Sequence, residues 1–171
     1  AQKIGIPLYT VNFVDEYREQ VFEDFLNGYR MGHTPNPDVM CNKEIKFKCL
    51  LDKAIQLGCD FLATGHYAKI DRHDNRCRLM CANDANKDQT YFLYRLNQQQ
   101  LQHAMFPLAN YTKQEVRDLA VTFDLPNAKK RDSTGICFIG KRDFNTFIAQ
   151  YIPNNKGDIK SVDGTLMGTH N

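Results

Sequence analysis

Apolar residues recur every third or fourth position from residue 15 to 30, where Tyr17, Val21, Phe25 and Tyr29 form a stripe that Phe22 and Leu26 widen. That period predicts an amphipathic helix, with Asp15 as its cap and Gly28 and Gly32 marking its fraying end. Before it, Gly5-Ile6-Pro7 closes a helix remnant, and Leu8 to Val14 reads as a strand. A second helix is expected from Asn42 to about Leu57, with Ile45, Leu50, Leu51, Ala54 and Leu57 for the core and Gly58 as its stop. Phe61 to Thr64 is a short apolar run following a helix, the order of a parallel sheet, and it leads into Gly65-His66.

Tyr67 to Asp71 and Arg76 to Cys81 flank the turn-forming His73-Asp74-Asn75, which predicts a hairpin. Asn86 to Thr90 makes a polar start to a helix whose Tyr91, Phe92, Leu93 and Tyr94 read as core, and Asn97 to His103 is helical. Thr112-Lys-Gln-Glu115 spells a capping box before a helix from Lys113 to Phe123, with Val116, Leu119, Ala120 and Phe123 as its buried stripe. Asp143 opens a helix bearing Phe144, Phe147, Ile148 and Tyr151. After Pro153 the pattern changes: Asp158 to Val162 and Thr165 to Met167 flank Asp163-Gly164, a strong hairpin signal.

Composition adds little beyond a globular reading. The chain has 171 residues, 42% hydrophobic and 25% charged, enough to bury a core. No apolar run approaches the roughly 20 residues that cross a bilayer, and Ala1-Gln-Lys-Ile is no signal peptide, so a cytoplasmic protein with no membrane contact is expected. Net charge is only +2, but Lys43, Lys46, Lys48, the run Lys129 to Arg131, Lys141 and Arg142 cluster locally. Such a rim suits a phosphate-bearing partner and reads equally as a solvated surface.

Two segments carry candidate chemistry, and the basic clusters flank both. Asp132-Ser-Thr-Gly-Ile-Cys-Phe-Ile-Gly140 places Cys137 in a tight glycine-bounded loop beside cations, which favour a thiolate over a thiol. Thr34-Pro-Asn-Pro-Asp-Val-Met-Cys41 fixes a stiff turn, with Cys41 read at the N-terminus of the next helix, where an anion is stabilised. Asp38 can take or give a proton on the same turn. Taken alone, either cysteine is more often a small buried hydrophobe than a catalyst.

The other cysteines read differently. Six occur, with no C-x-x-C pair, against a zinc ribbon or a thioredoxin-type motif. Cys77 and Cys81 with His66 and His73 imitate a metal cluster, yet no metal site is expected; Cys49 and Cys59 read as packing.

Thr34 to Phe47 (TPNPDVMCNKEIKF), Ala63 to Tyr67 (ATGHY), Asn86 to Leu93 (NKDQTYFL) and Asp132 to Lys141 (DSTGICFIGK) resemble, in order and at fitting spacing, the tRNA-specific 2-thiouridylase family. The family's Ser-Gly-Gly-x-Asp-Ser nucleotide loop does not occur, so the chain is expected to be an internal piece. The resemblance implies an α/β fold: part of a Rossmann-like ATP-pyrophosphatase domain over residues 1–81, a helical tRNA-binding region with the Cys137 loop over 82–153, and the start of a β-rich domain over 154–171. It implies ATP, with Mg2+ inferred only from it, at Gly65. It places Asn36, Pro37 and Asp38 at the target uridine, and His66, Lys87, Asp88 and Gln89 on the tRNA.

The implied reaction is ATP-dependent sulfur transfer to position 2 of the wobble uridine, in the anticodon region of tRNA. Adenylation activates the uridine oxygen, Cys137 carries sulfur as a persulfide from a donor protein, and Asp38 handles protons; either the persulfide attacks the base, or Cys41 as nucleophile attacks the persulfide and frees sulfide, the second route ending in a Cys41–Cys137 disulfide. The protein is expected to be a monomer. Thiolation of another tRNA position by a related enzyme, and a non-catalytic tRNA-binding or sulfur-carrying fragment, are the alternatives.

Overall fold

A computed structural model describes residues 1–130, 143–153 and 155–170. The helical stripe at the start folds as expected: helix α1 runs over residues 14–30, as an α segment Val14–Tyr17, a π segment Arg18–Phe22 and an α segment Glu23–Arg30. The cap position falls on Phe13, which caps with no side chain, and Asp15 lies inside the helix; Asn12, just before, accepts from the Val14 N–H through its side-chain oxygen. The end is ordered rather than frayed. Gly32 takes φ +76°, His33 N–H donates to the Gly28 carbonyl, and Gly32 N–H donates to that of Tyr29. Gly28 serves packing: a Cβ there would lie 2.9 Å from Pro35 Cγ.

Leu8 to Val14 forms no strand. Gln2–Ile4 makes a single 3-10 turn closed by Gly5, and the residues after it run irregular, with Leu8 78% exposed. A strand exists only where a neighbour satisfies its N–H and C=O groups, and among the described residues none lies alongside.

Helix α2 covers residues 37–56 in three segments, Pro37–Met40, Cys41–Leu50 and Leu51–Gln56, the middle one wound with π hydrogen bonding. It buries Val39, Asn42, Ile45, Phe47 and Leu51; Leu57, expected in the core, is exposed. Gly58 (φ +85°) ends it. Strand β1 (Leu62–Ala63) follows and pairs in parallel with β4 (Ala104–Met105), a partner the sequence did not announce. Between them, β2 (Ala68–His73) and β3 (Arg76–Cys81) form the expected hairpin, with Asp74 and Asn75 both at positive φ in a two-residue turn.

Thr90–Leu93 is one 3-10 turn and not a longer helix; it buries Leu93 and leaves Tyr91 and Tyr94 exposed, against the expectation of core. Helix α3 (Gln98–Gln102) starts from an Asn97–Gln100 capping box, and α4 (Lys113–Thr122) from the Thr112–Glu115 box foreseen. The apolar stripe of α4 stays outside the core: Leu119 and Phe123 are exposed, and the stripe lines an open groove with Leu108 and Leu125. The stripe fits the period of a helix, but no described element covers it.

Among the described residues, buried side chains gather in two clusters. Phe47, Ala68, Leu93, Ala104 and Phe106 join α2, the hairpin and β4. Phe25 and Leu26 of α1 meet Phe147 and Ile148 of α5 (Phe144–Ile148), flanked by Phe22, Tyr29 and Phe144. The last hairpin, β5 (Gly157–Lys160) with β6 (Leu166–His170), turns through Asp163-Gly164.

Candidate functional site

The Pro-rich turn is built by Asn36. Its side-chain oxygen accepts from the N–H groups of Asp38 (3.1 Å) and Val39 (3.3 Å), and Pro37 fills the first helical position, where a missing N–H costs nothing. The helix therefore begins at Pro37 and not at Asn42. This corrects the placement of Cys41 at a helix N-terminus: its N–H donates to the carbonyls of Pro37 and Asp38, a full turn inside, where the dipole's effect on a thiolate has faded. Cys41 and Asp38 are half-buried and Pro37 is buried.

The next turn carries a residue that the sequence reading missed. Asn42 is 2% exposed, its amide nitrogen donates to the Phe92 carbonyl (2.9 Å), and its side-chain oxygen accepts from Lys46 Nζ (2.9 Å). A polar side chain among the buried positions of an apolar helix face was the available signal. Lys46 then reaches a depression of about 350 Å3 that it lines with Thr64, Gly65, His66 and Gln89. The depression lies past the C-terminal end of β1, where ligands bind in open α/β sheets.

His66 is held there from three sides. Thr64 Oγ1 lies 2.7 Å from its Nδ1, and the rings of Phe47 and Phe106 each stand 6.0 Å away. Burial, and then the charge of Lys46, push its pKa down from 6.5 to about 4, so the ring is neutral at physiological pH. Gly65 leaves open space, since a Cβ would meet only Leu108 Cδ1 at 3.9 Å. The larger depressions, of about 580, 510 and 450 Å3, are lined by none of the candidate residues.

Segment 84–90 is tied down by its own acceptors. The Asp88 carboxylate accepts from Ala82 N–H (2.7 Å), Thr90 N–H (3.1 Å) and the Thr90 hydroxyl; these bonds outweigh its partial burial, and its pKa is lowered. Gln89 exchanges two bonds with Tyr67, its side-chain oxygen accepting at 3.0 Å and its N–H donating at 2.8 Å. Lys87 is exposed. So Gln89 and His66 share one wall with Gly65, while Asp88 works as a local brace. Arg95 reaches back across the segment to Met40 Sδ, 2.8 Å away and next to Cys41.

Cys137 and the basic residues Arg131, Lys141 and Arg142 lie outside the described residues. Cys41, Cys49, Cys59, Cys77 and Cys81 are thiols. Cys77 is buried, and its backbone exchanges two bonds with the Gln98 amide, so it is structural. Cys59 is exposed, which corrects its reading as packing; it follows the glycine that ends α2. Among the described residues, no three His, Cys, Asp or Glu side chains gather at metal-binding distance. Nor is any helix among them long and apolar enough to cross a membrane.

A parallel strand pair between helices, with a depression off the strand end that Lys46 enters, gives the chain an α/β character. The chain belongs to the family described as tRNA methyl transferase HUP domain, which matches residues 1–141. It is 55% identical over 168 residues to the tRNA-specific 2-thiouridylase MnmA of Bacillus velezensis, and 56% over 168 residues to that of Alkaliphilus oremlandii. It is also 57% identical over 172 residues to the enzyme of Streptococcus thermophilus. These matches cover 98 to 100% of the chain but 45 to 46% of the relatives, so the chain spans about half their length. The resemblance drawn from the four motifs is thereby borne out.

Proposed function

We propose that this chain is part of a tRNA 2-thiouridylase, which places sulfur on position 2 of the wobble uridine. The observation that carries the reading is the identity of 55% to a protein named for that activity, along 98% of the chain. The arrangement of the site supports it, because the Asp38–Cys41 turn and the Gly65-His66 depression are joined through one buried residue, Asn42.

ATP fits the depression in chemical terms: the backbone is open at Gly65, Lys46 supplies a cation, and no carboxylate among the described residues lines the wall. When bound, ATP supplies the leaving group by activating the uridine oxygen. The chain's own residues do the rest. Asp38 moves protons at the base, and the outer sulfur of a Cys137 persulfide is the nucleophile. Either that sulfur bonds to C2 as the activated oxygen leaves and the Cys41 thiolate then attacks Cys137 Sγ, breaking the Sγ–S bond and freeing the thiolated base, or the Cys41 thiolate attacks Cys137 Sγ first and releases hydrosulfide that attacks C2; both routes leave a Cys41–Cys137 disulfide. Two electrons from a reductant then reopen the disulfide.

Asn36, Pro37 and Asp38 line the target uridine and His66, Lys87, Asp88 and Gln89 contact the tRNA in this reading, and a persulfide-bearing protein loads Cys137. Magnesium accompanies the nucleotide, the enzyme is a cytoplasmic monomer, and the final hairpin opens a β-rich domain. The test is nucleoside analysis of tRNA after incubation with ATP and a persulfide donor. The reading expects 2-thiouridine at the wobble position. Sulfur at another position would identify a different thiolating enzyme.

A further inference from the structure

Among the three lysines of residues 43–48, the charges are not equivalent. Glu44 binds Lys43 at 2.6 Å and Lys48 at 2.9 Å, and both of these ammonium groups lower its pKa. Lys46 forms no such ion pair among the described residues. Its hydrogen-bond partner is the neutral oxygen of Asn42, which is itself anchored on the Phe92 carbonyl. Among the described residues, the depression that Lys46 enters is lined otherwise by Thr64, Gly65, His66 and Gln89, with His66 neutral, so this lining carries one positive charge and no negative one. A cation held in place by a buried amide, facing such a lining, suits an anion.

We propose that Lys46 binds a phosphate group at this depression, with Asn42 as the residue that positions it. The proposal deepens the thiouridylase reading and rests on it for the source of the phosphate, which is either the nucleotide or the RNA backbone at the reacting base. The geometry suits both: a phosphate beside Gly65 meets an open backbone, and the neutral His66 can donate or accept without adding charge. Asn42 contributes at a distance. Without its oxygen, the Lys46 stem loses its anchor and the ammonium samples other rotamers, lowering occupancy without removing charge.

The test compares the full-length protein with its Lys46→Met, Lys46→Arg and Asn42→Ala variants. AMP affinity is measured by calorimetry, tRNA affinity as a function of salt, and His66 by NMR. If the phosphate is the nucleotide's, Lys46→Met weakens AMP about tenfold or more, Lys46→Arg recovers most of it, and Asn42→Ala costs about threefold. If it is the RNA's, AMP binding is unchanged, while tRNA weakens and the salt slope drops by about one. Either result supports the site. Unchanged AMP and tRNA affinity in a folded Lys46→Met protein, with the His66 signal shifted, would overturn it. Wobble thiolation by wild type separates the two claims: its absence sinks the thiouridylase reading alone, and its survival in Lys46→Met with unaltered affinities sinks this one alone.

Discussion

His66 is the residue whose environment departs most from what its neighbours in sequence suggest. The folded protein keeps it neutral down to about pH 4, whereas an unfolded chain protonates it near 6.5. Above pH 6.5 neither state binds the proton and the group is silent. Between 6.5 and 4 the unfolded state binds more protons, so stability falls as pH falls, by on the order of 3 kcal/mol at most across that window. Thermal melts of wild type and His66→Gln across pH 4 to 7 should diverge on the acid side; parallel curves would mean that His66 is not buried as described. Lys46→Met should raise the His66 pKa yet leave it below 6.5, because burial is the larger cause and the lysine the smaller.

At the scale of elements, the legible parts were those with local chemistry. Thr112 and Glu115 foretold their capping box, Asp74-Asn75 their turn, and Gly58 the end of α2, because each acts within a few residues of itself. The start of α2 was misread because Asn36 had been reserved for the substrate, while its oxygen caps the helix that carries Asp38 and Cys41. That double use can be separated. Asn36→Ala should cost about 1 kcal/mol of stability, and Asn36→Ser should restore it. If Asn36 also touches the uridine, Asn36→Ser stays defective in thiolation, measured as product per enzyme at saturating tRNA; full recovery would make it a cap and nothing more. That Leu8 to Val14 forms no strand and that β1 pairs with β4 were not legible, since both depend on which distant segment lies alongside, and a two-residue strand has no period to read.

Across the whole molecule, the core is divided into two clusters, and one is closed by residues more than a hundred positions apart, Phe25 and Phe147. No periodicity in the sequence names that pairing. It makes a contrast between two apolar residues of similar appearance in sequence. Phe25, 1% exposed, should cost about 3–5 kcal/mol when cut to alanine, whereas Phe123, 66% exposed on α4, should change stability by no more than about 0.5 kcal/mol in denaturant unfolding. A large loss at Phe123 would show that the groove beside α4 is covered in solution. The candidate site was legible in its residue types and not in its construction: the motifs put Gly65 on ATP and His66 and Gln89 on the tRNA without saying that the three share a wall, and Asn42, inside the Thr34–Phe47 motif, ties that wall to the Cys41 helix through Lys46, a link that only the fold shows.

The central claim is that Cys137 carries sulfur and Cys41 does not. Intact mass after exposure to a persulfide donor, for wild type, Cys41→Ser and Cys137→Ser, before and after reductant, tests it most directly. The account predicts a reducible gain of one sulfur atom that survives the loss of Cys41 and vanishes with Cys137. Sulfur spread evenly over the six cysteines, or retained without Cys137, would contradict it.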